Sequence, residues 1–184
     1  MAQQITRVHS ETTPIRLRPY DGQWSAYFQQ YRSLIQSVLG ERATLIEHIG
    51  STAVPGLLGQ ACVDVLLAVA EPDAEEDYRA ELEGLGFRLW QREPDRRVFG
   101  SEPAAHGLPP CPARLFVCRS GGTWEFDQLL LTHYLGAHEE RREAYAELKS
   151  RLADVHRDDP EGYALAKRPF LRETVRMAHR SFLD

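Results

Sequence analysis

Residues 47–64 read EHIGSTAVPGLLGQACVD and continue into VLLAV at residues 65–69. Cys62 to Val69 is β-branched and almost wholly apolar, the pattern of a strand buried on both faces. Ala43 to Ile49 reads as a shorter strand, and the Gly- and Pro-bearing segment Gly50–Gly59 between them reads as a turn. A Gly-Ser-Thr turn leaving a strand can aim backbone N–H groups and the Ser51 and Thr52 hydroxyls into one concavity. Gly50 lets a ligand approach the main chain there. Asp64 stands inside the apolar strand, where an unpaired charge costs several kcal/mol. It therefore calls for a metal, a cation or a set of N–H donors. The plainer alternative makes Gly50-Ser51-Thr52 an ordinary β-turn and places Asp64 at a solvated strand end.

Outward from this segment, Trp24, Tyr27, Phe28, Tyr31, Leu34, Ile35 and Val38 share one face at helical spacing. They predict a helix that starts near Asp21 or Gln23 and stops at Gly40. Glu71–Glu83 is expected to be an acidic helix with a solvated face. Phe87–Gln91 and Arg97–Phe99 are expected to pair through the turn Glu93-Pro94-Asp95. Gly100–Pro112 is the one long irregular segment, and Arg114–Arg119 reads as a further strand before the Gly121-Gly122 turn. Residues 123–138 carry no decisive pattern. Glu139–Val155 and Tyr163–Phe182 read as helices. Helix, strands, then helices define an α+β domain, a sheet flanked by helices with a helical C-terminal part. Residues 1–13 are expected to be a polar tail and residues 14–184 a single domain.

Composition narrows the function classes. Of 184 residues, 27 are Asp or Glu and 22 are Lys or Arg, a formal net charge of −5. That balance argues against a general nucleic-acid binder, whose affinity rests on basic side chains neutralising phosphates. No apolar run approaches the roughly 20 residues that span a bilayer, so no membrane role is expected. Met1–Thr13 has no apolar signal-peptide core, which predicts a cytoplasmic chain. Cys62, Cys111 and Cys118 fit reduced thiols better than a disulfide framework. Cys111 and Cys118 with His133 and His138 give no zinc spacing.

EHIGSTAVPGL followed by a strand bearing Asp64 resembles the GrpB family, a branch of the polymerase-β-like nucleotidyltransferase fold. RPYDGQW (Arg18–Trp24), AYAELKSRLA (Ala144–Ala153) and YALAKRPFL (Tyr163–Leu171) extend the resemblance over roughly Ile15 to Phe182. It implies a nucleotidyltransferase-like mixed β-sheet and a site in which a Gly-Ser turn holds a triphosphate. Acidic residues on neighbouring strands would there hold divalent metal. Gly50 and Ser51 match the turn, and Asp64 matches the first carboxylate and metal ligand, for Mg²⁺. The second carboxylate position is Leu66, an absence GrpB proteins generally share. Further departures are Gln60-Ala61 for the usual Lys-Pro and Arg114-Leu115-Phe116 for His-Leu-His. Leu131-Thr132-His133-Tyr134-Leu135 stands for Phe-Arg-Asp-Tyr-Leu. This is the pattern of a changed or lost reaction.

Candidate residues follow. His48 reads either as a structural histidine bonded to backbone or as an acid–base group. With no G-x-S-x-G elbow present, Ser51 reads as a hydrogen-bond donor. Lys149 and Lys167, on the two C-terminal helices, read either as solvated cations or as groups reaching a phosphate or carboxylate in the cleft. Arg114, Glu125 and Asp127 are candidate replacements for the lost polar wall. The leading expectation is a small-ligand site for a nucleotide or anionic metabolite at Gly50, Ser51, Thr52, Arg114, Lys149 and Lys167, with Asp64 and His48 as catalytic candidates and nucleotidyl transfer as the implied reaction. Two alternatives stand beside it: a re-purposed enzyme of small-molecule biosynthesis using the same pocket, and a non-catalytic binding or chaperone-like module.

Overall fold

A computed structural model describes residues 14–101 and 107–183. The Val/Leu run forms strand β2 (Val63–Val69), which lies between β1 (Leu45–Ile49) and β5 (Ala113–Arg119). A hairpin of β3 (Phe87–Glu93) and β4 (Arg96–Ser101) completes a five-stranded sheet in the order β1-β2-β5-β4-β3. β2 and β5 are parallel and the other neighbours antiparallel, so the sheet is mixed. The hairpin turns at Pro94-Asp95, as the sequence predicts.

Strand alternation divides β2 between two cores. Val63, Val65, Leu67 and Val69 pack with Trp24, Phe28, Tyr31, Ile35 and Leu39 of helix α1 (Gln23–Leu39). Those helix residues recur every three or four positions, the stripe that a helix must bury against a sheet. The Asp21 carboxylate accepts the Gln23 N–H at 2.9 Å, and the helix stops before Gly40, whose φ is +56°. The buried Tyr31 hydroxyl donates to the Cys111 carbonyl at 2.8 Å and lies 3.1 Å from Ser101 Oγ, tying α1 to the sheet.

On the opposite face Leu66 and Ala68 pack with Ile49, Cys118, Phe116 and Trp124. This side carries α3 (Thr123–Ala137), α4 (Glu139–Val155) and α5 (Pro160–Leu183). Val54 and Leu57, from the turn after β1, are buried with Leu131, Leu135 and Tyr145, which fastens that turn beneath the C-terminal helices. The α+β class, the mixed sheet and the helical C-terminal part all agree with the sequence.

The structure corrects or completes three local readings. Residues 71–83 form a short 3₁₀ turn at Glu75–Asp77 and then only a brief helix, α2 (Arg79–Gly84). Tyr78 interrupts them with φ −147°: its ring is buried beside Phe99 and its hydroxyl donates to the Pro72 carbonyl. Several of the acids there are ion-paired, Glu75 with Arg92 and Arg97, and Glu81 with Arg42. The unassigned residues 123–138 are α3, whose apolar residues are spread around the helix rather than confined to one stripe. β4 continues through Gly100 to Ser101; the rest of the expected irregular segment falls partly, and the expected tail 1–13 wholly, outside the described residues. Among the described residues no helix is long and apolar enough to cross a membrane.

Candidate functional site

Parallel pairing of β2 with β5 sets Asp64 beside Arg114 on the face that carries the C-terminal helices. Arg114 Nε donates to Asp64 Oδ1 at 2.8 Å and Nη2 donates to Oδ2 at 3.0 Å. This is a bidentate, charge-assisted pair. The Asp64 side chain is 13% exposed and that of Arg114 is 42% exposed. The carboxylate holds the guanidinium charged well above its ordinary pKa. Gly50 closes over the same carboxylate. A Cβ built on Gly50 would stand 2.4 Å from Asp64 Oδ2, and φ is +72°, so both space and backbone demand glycine.

Lys149 on α4 and Lys167 on α5 enter the same cluster. Lys149 is 1% exposed; its ammonium donates to the Leu58 carbonyl and lies 5.2 Å from the centre of the Tyr145 ring. Burial, reinforced by the charge of Lys167, lowers its pKa to about 7 against the opposing pull of Asp64. Lys167 sits 4.0 Å over the Tyr163 ring, and burial together with Arg114 lowers its pKa to about 8. Tyr163 is 2% exposed, and its buried hydroxyl has no hydrogen-bond partner among the described residues. Burial pushes that hydroxyl up to about 12, and Arg114 acts against the rise. Burial raises Tyr145 as well, with Tyr163 and Asp64 adding to it. Arg114, Lys149 and Lys167 thus all feel the charge of the one Asp64 carboxylate, and a buried tyrosine precedes each lysine on its helix.

The other sequence candidates make contacts of their own. His48 pairs with Val65 in the sheet and so points toward α1, away from the Asp64 face. Its ring stacks on Phe28 at 4.9 Å, and Nε2 lies 3.0 Å from Thr52 Oγ1. Burial lowers its pKa to about 4, which keeps the ring neutral near pH 7. Thr52 is buried, and its hydroxyl donates to the Cys62 carbonyl at 3.4 Å, bracing the turn. Ser51 packs against Gly59, where an added Cβ would stand 3.3 Å from Ser51 Cβ. Glu125 accepts the Gly121 N–H, and Asp127 bonds His179 at 2.7 Å on the α3–α5 side. A surface depression lined by Leu17, Arg18, Tyr20, Gly56, Leu58 and Ser150 shares only Leu58 with the cluster.

Sequence reading missed Tyr145 and Tyr163. Each precedes its lysine by four residues, in Tyr-Ala-Glu-Leu-Lys and Tyr-Ala-Leu-Ala-Lys. That spacing stacks tyrosine and lysine on one helix face, and its occurrence in both helices was the available signal.

The Mg²⁺ expected at Asp64 does not fit this donor set. Both carboxylate oxygens are engaged by Arg114, and Leu66, next on the same face, is fully buried in the apolar core. Among the described residues no group of three or more His, Cys, Asp or Glu could hold a metal ion. Mg²⁺ demands several oxygen ligands in octahedral array, and the lysines would add like charge beside it.

Fold and site together define an α+β mixed-sheet protein in which the Asp64–Arg114 pair of the sheet is coupled electrostatically to Lys149 and Lys167 of the C-terminal helices. The chain belongs to the GrpB family: it matches the GrpB protein family across residues 14–177. It is similar to a UPF0157 protein of Halalkalibacterium halodurans, 36% identical over 169 residues that cover 90% of this chain and 83% of the relative. A dephospho-CoA kinase of Mycolicibacterium paratuberculosis is 26% identical over 188 residues, covering 90% of this chain but 46% of that protein. The crystal structure of the conserved protein GrpB from Enterococcus faecalis shares the fold, with a TM-score of 0.79 at 23% identity, covering 92% of this chain and all of that one.

Proposed function

We propose that the cluster is a nucleotidyltransferase-like small-ligand site that takes a nucleotide or another anionic metabolite. The observation that carries this reading is Lys149, 1% exposed and grouped with Lys167 and Arg114 around the single carboxylate of Asp64. Burying cations without matching anions is unfavourable by several kcal/mol. An arriving oxyanion offsets that cost, so the imbalance favours an anionic ligand. The Gly50–Ser51 turn borders the site and keeps its backbone close to the Asp64 carboxylate.

Nucleotidyl transfer is the reaction that the family resemblance brings. The Arg114–Asp64 pair favours a second reading, an enzyme that uses the pocket without that transfer. A carboxylate held bidentately by arginine is a poor base, and His48 faces the other way. A lysine with a pKa near 7 or 8 is instead matched to general-base work at neutral pH.

Calorimetric titration in Mg²⁺-containing buffer, with ATP, dephospho-CoA and phosphorylated or carboxylated metabolites, tests the site. Saturable heat from at least one anion is expected, weakened at least about tenfold in Lys149→Met and Lys167→Met. No heat from any anion, or equal affinity in the lysine variants, overturns the reading.

A further inference from the structure

We propose that this site binds the oxyanion of its ligand directly, without a divalent metal, and that Arg114 is the resident cation in its place. The inference rests on the anion-site reading above and specifies the form of ligand recognised, a free phosphate, diphosphate or carboxylate rather than its metal chelate.

Geometry separates the roles within the pair. Asp64 occupies Arg114 Nε and Nη2 and so fixes the plane of the guanidinium. A guanidinium has five N–H donors in a rigid fork, so Nη1 lies outside that pair. At 42% exposure the arginine side chain remains partly open, whereas Asp64 at 13% is largely covered. Asp64 is therefore a positioning residue, and the arginine is the group that meets the ligand.

Three further groups lie near enough to feel the Arg114 charge. The Tyr163 hydroxyl is buried and unpartnered among the described residues, a costly condition for a polar atom unless something occupies the site. Lys149 gives one N–H to the Leu58 carbonyl and has others to offer. Lys167, over the Tyr163 ring, adds a further charge. Phosphate and carboxylate oxygens accept hydrogen bonds from each of these kinds of donor. A divalent ion would have to displace Arg114 from Asp64 and settle beside two lysines. The cluster supplies in side-chain form the positive charge that a metal would otherwise bring.

Inorganic pyrophosphate is the probe, titrated into the full chain by calorimetry in EDTA and again with excess Mg²⁺. Saturable binding in EDTA is expected, weakened when Mg²⁺ competes for the probe. Tyr163→Phe removes only an oxygen that has no partner among the described residues, so its stability should match the parent while its affinity falls about tenfold. Arg114→Lys keeps the charge but loses the fork, and a similar loss is expected. ATP and dephospho-CoA, titrated the same way, distinguish a nucleotide's phosphates from a free diphosphate as the source of the oxyanion. Binding that requires Mg²⁺ and vanishes in EDTA overturns the metal-free inference and leaves the anion site standing. Absence of binding in both buffers overturns both. Parental affinity in both Tyr163→Phe and Arg114→Lys overturns the assignment of Arg114 and its neighbours.

Discussion

The α-carbon of Gly50 lies so close to the carboxylate of Asp64 that no side chain fits between them: an added Cβ would stand 2.4 Å from Oδ2. The turn after β1 and the acid on β2 are therefore one unit. Gly50→Ala is expected to cost about 2–4 kcal/mol, from the clash and from the strain of φ +72°. Asp64→Ser removes the clash but leaves the backbone strain. Chemical denaturation of the single and double variants should show that the glycine substitution costs less in the serine background.

Lys149 makes stability depend on pH in a defined direction. Its folded value of about 7 lies below the ordinary 10.5, so between those limits the unfolded chain holds more protons than the native one. Stability attributable to this residue therefore rises as pH rises from about 7 toward 10. Tyrosines and cysteines titrate in the same range, so the comparison is made against Lys149→Met, which lacks this amine. The stability difference, wild type minus variant, should shift in favour of wild type by a few kcal/mol across that window. A difference that stays flat with pH would contradict the burial of a charged amine.

The helix–strand order and the apolar strand around Asp64 were legible in the sequence because burial on both faces leaves a run of β-branched residues. Helix α3 was not, since Leu129–Leu131 and its aromatics serve several contacts at once and blur the period. The acidic segment 71–83 looked helical by composition, but anchoring the Tyr78 ring beside Phe99 breaks it, a tertiary effect no local pattern records. An acid inside an apolar strand signals that it needs a partner. That the partner is Arg114 depends on parallel β2–β5 pairing, a contact fifty residues apart in the chain. His48 was an open choice in sequence. Alternation alone separates it from Ile49, and only the register with β2 shows that Asp64 shares the Ile49 face.

His48 should titrate near pH 4 by NMR, well below the usual 6.5, because burial disfavours its charged form. Over that interval the unfolded chain binds the extra proton, so acidification through it lowers stability. Thr52→Val deprives both His48 Nε2 and the Cys62 carbonyl of a partner. A loss of about 1–3 kcal/mol is expected by thermal or urea unfolding.

Gly100, in register with Arg114, lies against the Trp90 ring; an added Cβ would come within 1.7 Å of it. Gly100→Ala must displace the indole or the strand. It should destabilise the chain by more than about 2 kcal/mol and shift the tryptophan emission maximum. An unchanged spectrum and melting temperature would show that the ring does not rest there.

Crystals soaked in tungstate, a heavy oxyanion of phosphate-like shape, would locate the anion by anomalous scattering. We expect an anomalous peak within hydrogen-bond reach of the Lys149 and Lys167 ammonium groups, the Arg114 guanidinium and the Tyr163 hydroxyl. Peaks confined to the surface, with none in this cluster at saturating tungstate, would contradict the assignment of an anion site between the sheet and the C-terminal helices.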